Sequence, residues 1–179
     1  MLGLDTPVVR RAAFAVADGI TLLRIPLAIA FPFVTGTGPR LALLGLAAAT
    51  DLGDGIVARK FGGSRLGVLL DPVADKLFMA SAFGVVLFSG ALAWWEIIAV
   101  LARDVVATVA FVITIITGRA AAVPARVGGK AVTLMQFLTL VAFVMDWDRL
   151  HNAAWATGAV AVYAVYDYNK PFFRKLRKP

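Results

Sequence analysis

Long apolar segments constrain this chain more than any other feature of its sequence. Hydrophobic residues make up 60% of it and the mean hydropathy is +0.83, which lies outside the range of ordinary soluble domains. Six segments are long enough to cross a hydrocarbon core roughly 30 Å thick: 13–34, 41–60, 66–88, 92–117, 130–146 and 152–168. The sequence therefore predicts an all-α integral membrane protein with six transmembrane helices in a single domain, residues 1–179.

The distribution of positive charge predicts the orientation of these helices. Most of the 18 lysines and arginines fall before the first segment, in the connections at 59–65 and 118–130, and after the last segment. The opposite side would hold only Arg40 and Arg149. Because cytoplasmic loops carry the excess of Lys and Arg, both termini are predicted to be cytoplasmic.

The two ends of the chain are expected to lie on the membrane surface. Residues 1–12 are predicted to form an amphipathic lead-in, and residues 169–179 a basic tail against anionic headgroups. This tail accounts for much of the net charge of +7. Nucleic-acid binding is not expected, because no soluble domain is predicted that could carry it.

Four aspartates are concentrated in the stretch "DLGDGIVARKFGGSRLGVLLDPVADK", residues 51–76. Helical spacing puts the first two on one stripe of the second predicted helix and the last two on one stripe of the third. These stripes comprise Asp51, Asp54, Gly55 and Ala58, and then Gly67, Asp71 and Asp75. Helices joined by a short loop are antiparallel neighbours, so the four carboxylates are expected to converge near the cytoplasmic side.

Such a cluster needs compensation, because each Asp at mid-membrane costs about 2.5–3.5 kcal/mol on insertion scales. An ion-pair network with Arg59, Arg65 and Lys76 is one explanation. The small residues on the same faces favour another, since they leave room for a ligand. The chain has no cysteine and one histidine, and oxygen ligands at this density suit Mg²⁺ or Mn²⁺, with enough carboxylates for two ions. Two such ions serve phosphoryl or phosphatidyl transfer.

The pattern of these residues resembles the signature of the CDP-alcohol phosphotransferase family. That signature reads D-x2-D-G-x2-A-R, a short spacer, and then G-x3-D-x3-D, and every fixed position is present. The spacer between Arg59 and Gly67 has seven residues, one fewer than in many members, and it falls in the predicted turn between helices. The resemblance implies a six-helix membrane enzyme, commonly a homodimer, that transfers a phosphate-linked group from a CDP-activated donor to an alcohol and releases CMP.

The resemblance also implies a role for each residue of the motif. Asp51, Asp54 and Asp71 would bind two Mg²⁺ or Mn²⁺ ions. Asp75 would act as general base on the acceptor hydroxyl and would also contact a metal. The CDP moiety would lie against Asp51, Asp54, Gly55, Ala58, Arg59 and Gly67.

Three further stretches resemble the branch of the family that makes phosphatidylglycerol phosphate or, in its CDP-dependent form, cardiolipin. These are "ITLLRIPLAIAFP" at 20–32, "DPVADKL" at 71–77 and "GKAVTLMQ" at 129–136. Asp18-Gly19 stands where an asparagine is often found. The "GK" pair favours glycerol 3-phosphate as acceptor, whereas "RDV" at 103–105 favours phosphatidylglycerol, as in a cardiolipin synthase. An inositol-type acceptor is a further alternative.

Basic residues outside the motif are candidates for binding the acceptor. Arg126, Lys130 and Arg103 could bind its phosphate, although Arg126 and Lys130 are equally consistent with ordinary positive charge on the cytoplasmic side. Thr133 and Gln136 follow on roughly the same face as Lys130, where they could instead join helices.

Four polar positions carry expectations about their partners or surroundings. Arg103 and Asp104 are adjacent in sequence, so each is expected to find its partner elsewhere. Arg24 is a candidate to bind Asp104 or a substrate phosphate. His151 is expected to be a plain interfacial residue.

The leading hypothesis is a CDP-diacylglycerol phosphatidyltransferase of the bacterial plasma membrane with its active site facing the cytoplasm. A divalent-cation transporter is the alternative from another class, because intramembrane aspartates also line ion pathways. Residues 41–50 and 77–88 are nearly all apolar, which disfavours a path through the membrane. An inactive scaffold is disfavoured by the complete motif.

Overall fold

A computed structural model describes residues 7–61, 65–117 and 127–176, and within them the chain forms six α-helices and no strand. The helices are α1 (Pro7–Ala30), α2 (Thr37–Phe61), α3 (Arg65–Phe88), α4 (Trp94–Thr117), α5 (Val127–Val144) and α6 (Leu150–Leu176). Side chains are described for residues 18–53, 70, 73–110, 112–113, 116–117 and 128–167. The all-α class and the six helices are confirmed.

The first helix ends four residues before the end of the predicted segment, and local hydrogen bonding explains why. Pro32 has no N–H to continue the helix. The amides of Phe33 and Val34 both bond to the Ala30 carbonyl, at 3.0 and 3.1 Å. Gly36 then takes a φ of 90°, which glycine adopts without steric cost, and the chain turns into α2.

The fifth helix begins three residues earlier than predicted, at Val127. Gly128 and Gly129 therefore lie in its first turn, although the sequence assigned them to the connection at 118–130. At the other end, Asp146 has a φ of 52° and the Trp147 amide bonds to the Ala142 carbonyl at 3.0 Å. This left-handed cap ends the helix.

Residues 1–85 form one compact unit, in which α1 packs along α2 and also contacts α3. Phe31, the residue that follows α1, and Leu44 of α2 are fully buried. The Phe31 ring meets the Phe78 ring edge-on, with centroids 5.8 Å apart. The Ser81 hydroxyl donates to the Ala28 carbonyl of α1. Helix α1 thus contacts both α2 and α3, the helices that carry the aspartates.

Residues 86–179 form a second compact unit, in which α6 packs against both α4 and α5. Val132 and Ala161 are fully buried at the α5–α6 contact. The hydroxyls of Thr139 on α5 and Thr157 on α6 lie 2.8 Å apart. Helices α4 and α6 approach closely at Gly158, where an added Cβ would lie 3.0 Å from the Ala99 Cβ of α4. The absence of a side chain at Gly158 permits this approach.

Replacing Gly158 with valine is expected to destabilise this second unit. The added carbons must push α6 away from α4, and overpacking of this kind typically costs about 1–3 kcal/mol. The midpoint of thermal unfolding in detergent should fall by several degrees. Ala156→Val, at an exposed position of the same helix, is the matched control and should leave the midpoint nearly unchanged. Equal midpoints for the two variants would contradict the close contact.

Among the described residues, no helix combines the length and the apolarity needed to cross a bilayer. The six predicted membrane spans therefore stay predictions, as does the grouping of residues 1–179 into one domain. Residues 1–6 of the predicted lead-in and 177–179 of the predicted tail lie outside the described residues.

Candidate functional site

The aspartate motif lies on two helices of the first unit, as its spacing predicts. Asp51 and Asp54 are on α2, and Asp71 and Asp75 are on α3. The described side chains are those of Asp51, which is exposed, and Asp75, which is half-buried. The other six motif side chains lie outside the described residues: Asp54, Gly55, Ala58, Arg59, Gly67 and Asp71. Their roles stay predictions.

A buried arginine outside the motif binds its first aspartate. Arg24 of α1 is 2% exposed, and its Nη2 lies 3.1 Å from Oδ1 of Asp51, whose side chain is 55% exposed. Arg24 was a candidate partner for Asp104, and its contact with Asp51 was not predicted. The position of Arg24 well inside the first apolar segment was the available signal that it needs a partner on another helix. Because α1 packs along α2, that partner lies on α2.

The metal ligands predicted in the motif cannot be assembled from the described residues alone. Within that part of the chain, no group of three acidic, histidine or cysteine side chains could hold a metal ion. Asp54 and Asp71 lie outside it. The donor set itself is made of carboxylates, and this chemistry fits Mg²⁺ or Mn²⁺.

In the second unit, Arg103 and Asp104 bind each other, so the prediction that these adjacent residues cannot pair was wrong. Asp104 also has a partner elsewhere in the fold, as predicted. Arg103 Nη1 donates to Asp104 Oδ1 at 2.9 Å. The arginine side chain is long enough to reach around the helix to its neighbour, which the argument from helix faces overlooked. Their side chains are 32% and 22% exposed, respectively.

Gln136 of α5 holds the other oxygen of Asp104. Its Nε2 donates to Asp104 Oδ2 and, at 2.9 Å, to the Val100 carbonyl of α4. Gln136 is 1% exposed, so it does not share the exposed face of Lys130. Its predicted alternative role, joining two helices, is confirmed.

Arg103 extends toward the first turn of α5. A Cβ on Gly129 would lie 2.7 Å from Arg103 Nη2, so the guanidinium lies close against the backbone there. Lys130, the next residue, is exposed. Arg103 thus lies against the residue that precedes Lys130, while Arg126 lies outside the described residues.

His151 is not a plain interfacial residue. Its Nδ1 lies 2.9 Å from Oε1 of Glu96, whose side chain is only 5% exposed. Oε2 of Glu96 also accepts a hydrogen bond from the Ala93 amide at 2.9 Å, which caps the start of α4. Sequence reasoning missed Glu96; an acidic residue in the first turn of an apolar helix was the signal for it.

Comparison with known proteins identifies the family of the chain. The family model for CDP-alcohol phosphatidyltransferase matches residues 14–166, which include the whole aspartate motif, Arg24, Arg103 and Gln136. The chain belongs to the CDP-alcohol phosphatidyltransferase family, as the resemblance implied.

Two kinds of relative are similar to the chain. One, from Mycobacterium tuberculosis, bears the provisional name phosphatidylglycerophosphate synthase and is 34% identical over 123 residues, covering 68% of this chain and 57% of the relative. The other, from Mycobacterium bovis, bears the provisional name cardiolipin synthase and is 31% identical over 174 residues, covering 92% and 82%. The chain thus spans little more than half the length of the first relative. No solved structure is significantly similar to it.

Proposed function

We propose that this protein is a CDP-diacylglycerol phosphatidyltransferase that transfers a phosphatidyl group to an alcohol, with glycerol 3-phosphate as the preferred acceptor and CMP as the leaving product. The observation that carries this proposal is the complete motif, with its eight fixed residues on two helices of a chain of this family. A divalent-cation transporter is not supported, since the family match extends over most of the chain.

In this proposal the motif binds the donor and performs the chemistry. Asp51, Asp54, Asp71 and Asp75 would hold two Mg²⁺ or Mn²⁺ ions, which when bound neutralise the charge of the pyrophosphate. Asp75 accepts the proton of the acceptor hydroxyl, whose oxygen attacks the donor's β-phosphorus. The bond from that phosphorus to the bridging oxygen of the pyrophosphate breaks, and CMP leaves. The cytidine headgroup lies against Gly55, Ala58, Arg59 and Gly67.

The membrane is the proposed setting, with the active site at the cytoplasmic side of the bacterial plasma membrane and a homodimer as the working unit. Exposed apolar side chains support contact with lipid. On α4 they include Val105, Val106, Val109, Val112, Ile113 and Ile116. Trp94, Trp95 and Trp147 are also exposed, in keeping with an aromatic belt at one interface. Monomeric soluble proteins rarely expose large contiguous apolar patches.

The phosphate of the acceptor would be bound by Arg103, Lys130 and Arg126, as the sequence predicts for these three residues. Arg103 presents a planar set of N–H donors suited to phosphate oxygens, and its guanidinium lies against Gly129, the residue before the exposed Lys130. Both glycerol 3-phosphate and phosphatidylglycerol carry a phosphate, and the two relatives bear names from both branches. The preference for glycerol 3-phosphate rests on the "GK" pair at 129–130.

An acceptor panel tests the proposed function. Purified protein is incubated with CDP-diacylglycerol, Mg²⁺ and one of glycerol 3-phosphate, phosphatidylglycerol, inositol, inositol phosphate or serine. We expect CMP release with glycerol 3-phosphate, at rates well above those with the others. Release with phosphatidylglycerol alone would reassign the acceptor, and release with none would contradict the function itself.

Replacing Gly129 with alanine is expected to weaken acceptor binding without unfolding the protein. The new methyl group would displace the Arg103 guanidinium, the flexible end of a side chain, so little stability is lost. The KM for glycerol 3-phosphate should rise several-fold while the KM for the donor stays constant. Gly128→Ala is the matched control, since its Cβ would make only an ordinary 3.4 Å contact with Ala164. An equal KM in both variants would contradict the proposed role of Arg103.

A further inference from the structure

A chain of hydrogen bonds connects the buried interior of the second unit to Arg103. The two N–H groups of the Gln136 amide have two acceptors, the Val100 carbonyl and Oδ2 of Asp104. Oδ1 of Asp104 accepts from Arg103 Nη1. Because both donors of the buried amide are engaged, and both oxygens of the carboxylate as well, neither group can rotate without losing a bond.

We infer that Gln136 and Asp104 are positioning residues that fix the Arg103 guanidinium for an acceptor phosphate. This inference rests on the proposed function, because it assigns the orientation of one group in the proposed acceptor site. Asp104 engages Nη1, while Nη2 is the nitrogen beside Gly129. The carboxylate therefore sets which edge of the guanidinium is turned toward the first turn of α5.

Exposure increases along the chain of contacts in the direction that this role requires. Gln136 is 1% exposed, whereas the side chains of Asp104 and Arg103 are 22% and 32% exposed. A glutamine that only joined two helices would need no more than the Val100 carbonyl as its partner. The second bond instead anchors a carboxylate whose other oxygen binds a partly exposed cation, which lies against Gly129.

If Gln136 positions Arg103, its replacement should change the KM for the acceptor selectively. Gln136→Met keeps the volume of the side chain but removes both donors, so Asp104 loses its anchor and Arg103 its fixed orientation. We expect the KM for glycerol 3-phosphate to rise about tenfold, the scale of one weakened charge-assisted hydrogen bond. The KM for CDP-diacylglycerol and kcat should change less than about twofold, since other groups bind the donor.

Two further variants separate positioning from packing. Thr139→Val removes a buried hydroxyl from the same helix, at the contact with Thr157, and should lower the unfolding midpoint without changing the acceptor KM. Asp104→Asn should raise the acceptor KM as Gln136→Met does. The double variant should show much less than the product of the two effects, because both act through Arg103. Should Gln136→Met fail to fold, Asp104→Asn carries the same expectation by itself.

Arg103→Ala distinguishes failure of this inference from failure of the proposed function. If Arg103→Ala raises the acceptor KM while Gln136→Met and Asp104→Asn behave like Thr139→Val, the positioning role is overturned and the acceptor site stands. If Arg103→Ala also leaves that KM unchanged, the acceptor site is overturned as well. Calorimetric titration with glycerol 3-phosphate provides a readout without turnover. A wild-type protein that neither binds nor turns over glycerol 3-phosphate or phosphatidylglycerol would overturn both proposals.

Discussion

Replacing Asp75 with asparagine is expected to lower turnover by about 10²–10⁴-fold, the usual contribution of a general base. The amide has nearly the shape of the carboxylate but cannot accept the proton of the acceptor hydroxyl. Asp75 is half-buried on α3, so a change of this size should keep the helix packed. CMP release measures turnover, and the unfolding midpoint in detergent reports the fold.

The control for this variant is the same chemical change at an aspartate outside the motif. Asp148 is exposed between α5 and α6, and Asp148→Asn should keep full turnover. Calorimetric titration with a CDP-containing donor should show that the Asp75 variant still binds it. An Asp75→Asn protein with turnover above about a tenth of the wild-type value would remove Asp75 from the role of general base.

The helices were predictable because their signal is strong and local. Long apolar segments and turn residues such as Gly36 and Gly90, which both adopt positive φ, mark where helices and connections fall. Their ends were less predictable, since single hydrogen bonds decide them. The end of α1 at Ala30 depends on amides that bond back to one carbonyl, and the sequence does not specify such a choice.

The partners of charged residues were the least predictable feature of the site. The prediction that Arg103 and Asp104 cannot bind each other depended only on the helix face from which each side chain begins. It left out the length of the arginine side chain, which reaches its neighbour. The bond between His151 and Glu96 joins the first turns of α4 and α6. The sequence places these residues 55 positions apart, and only the packing of the helices brings them together.

Both compact units place a predicted site residue in contact with a polar partner outside the sequence motif. In the first unit Arg24 binds Asp51; in the second Asp104 binds Arg103. In each pair one member is more buried than the other, so the less exposed residue restrains the orientation of the more exposed one. A short motif identifies the groups that perform the chemistry, whereas the residues that orient them are distributed along neighbouring helices.

Removal of divalent metal is expected to abolish turnover, and addition of Mg²⁺ or Mn²⁺ should restore it. In the proposed site the carboxylates of Asp51, Asp54, Asp71 and Asp75 would repel one another and the pyrophosphate without the ions. Dialysis against a chelator followed by metal titration, with CMP release as the readout, measures this dependence. Full turnover in the presence of excess chelator would contradict the proposed cofactor.

Asp51 has two roles to separate: its negative charge would bind the metal, and its contact with Arg24 joins α1 to α2. Two substitutions of Asp51 distinguish these roles. In Asp51→Asn the amide oxygen can still accept the hydrogen bond from Arg24, but the negative charge is lost. We expect the metal concentration for half-maximal turnover to rise at least about tenfold, with the unfolding midpoint nearly unchanged. Asp51→Ala removes the hydrogen bond too, and should also destabilise the protein by about 2 kcal/mol. If both variants need no more metal than the wild type, Asp51 acts only as the partner of Arg24.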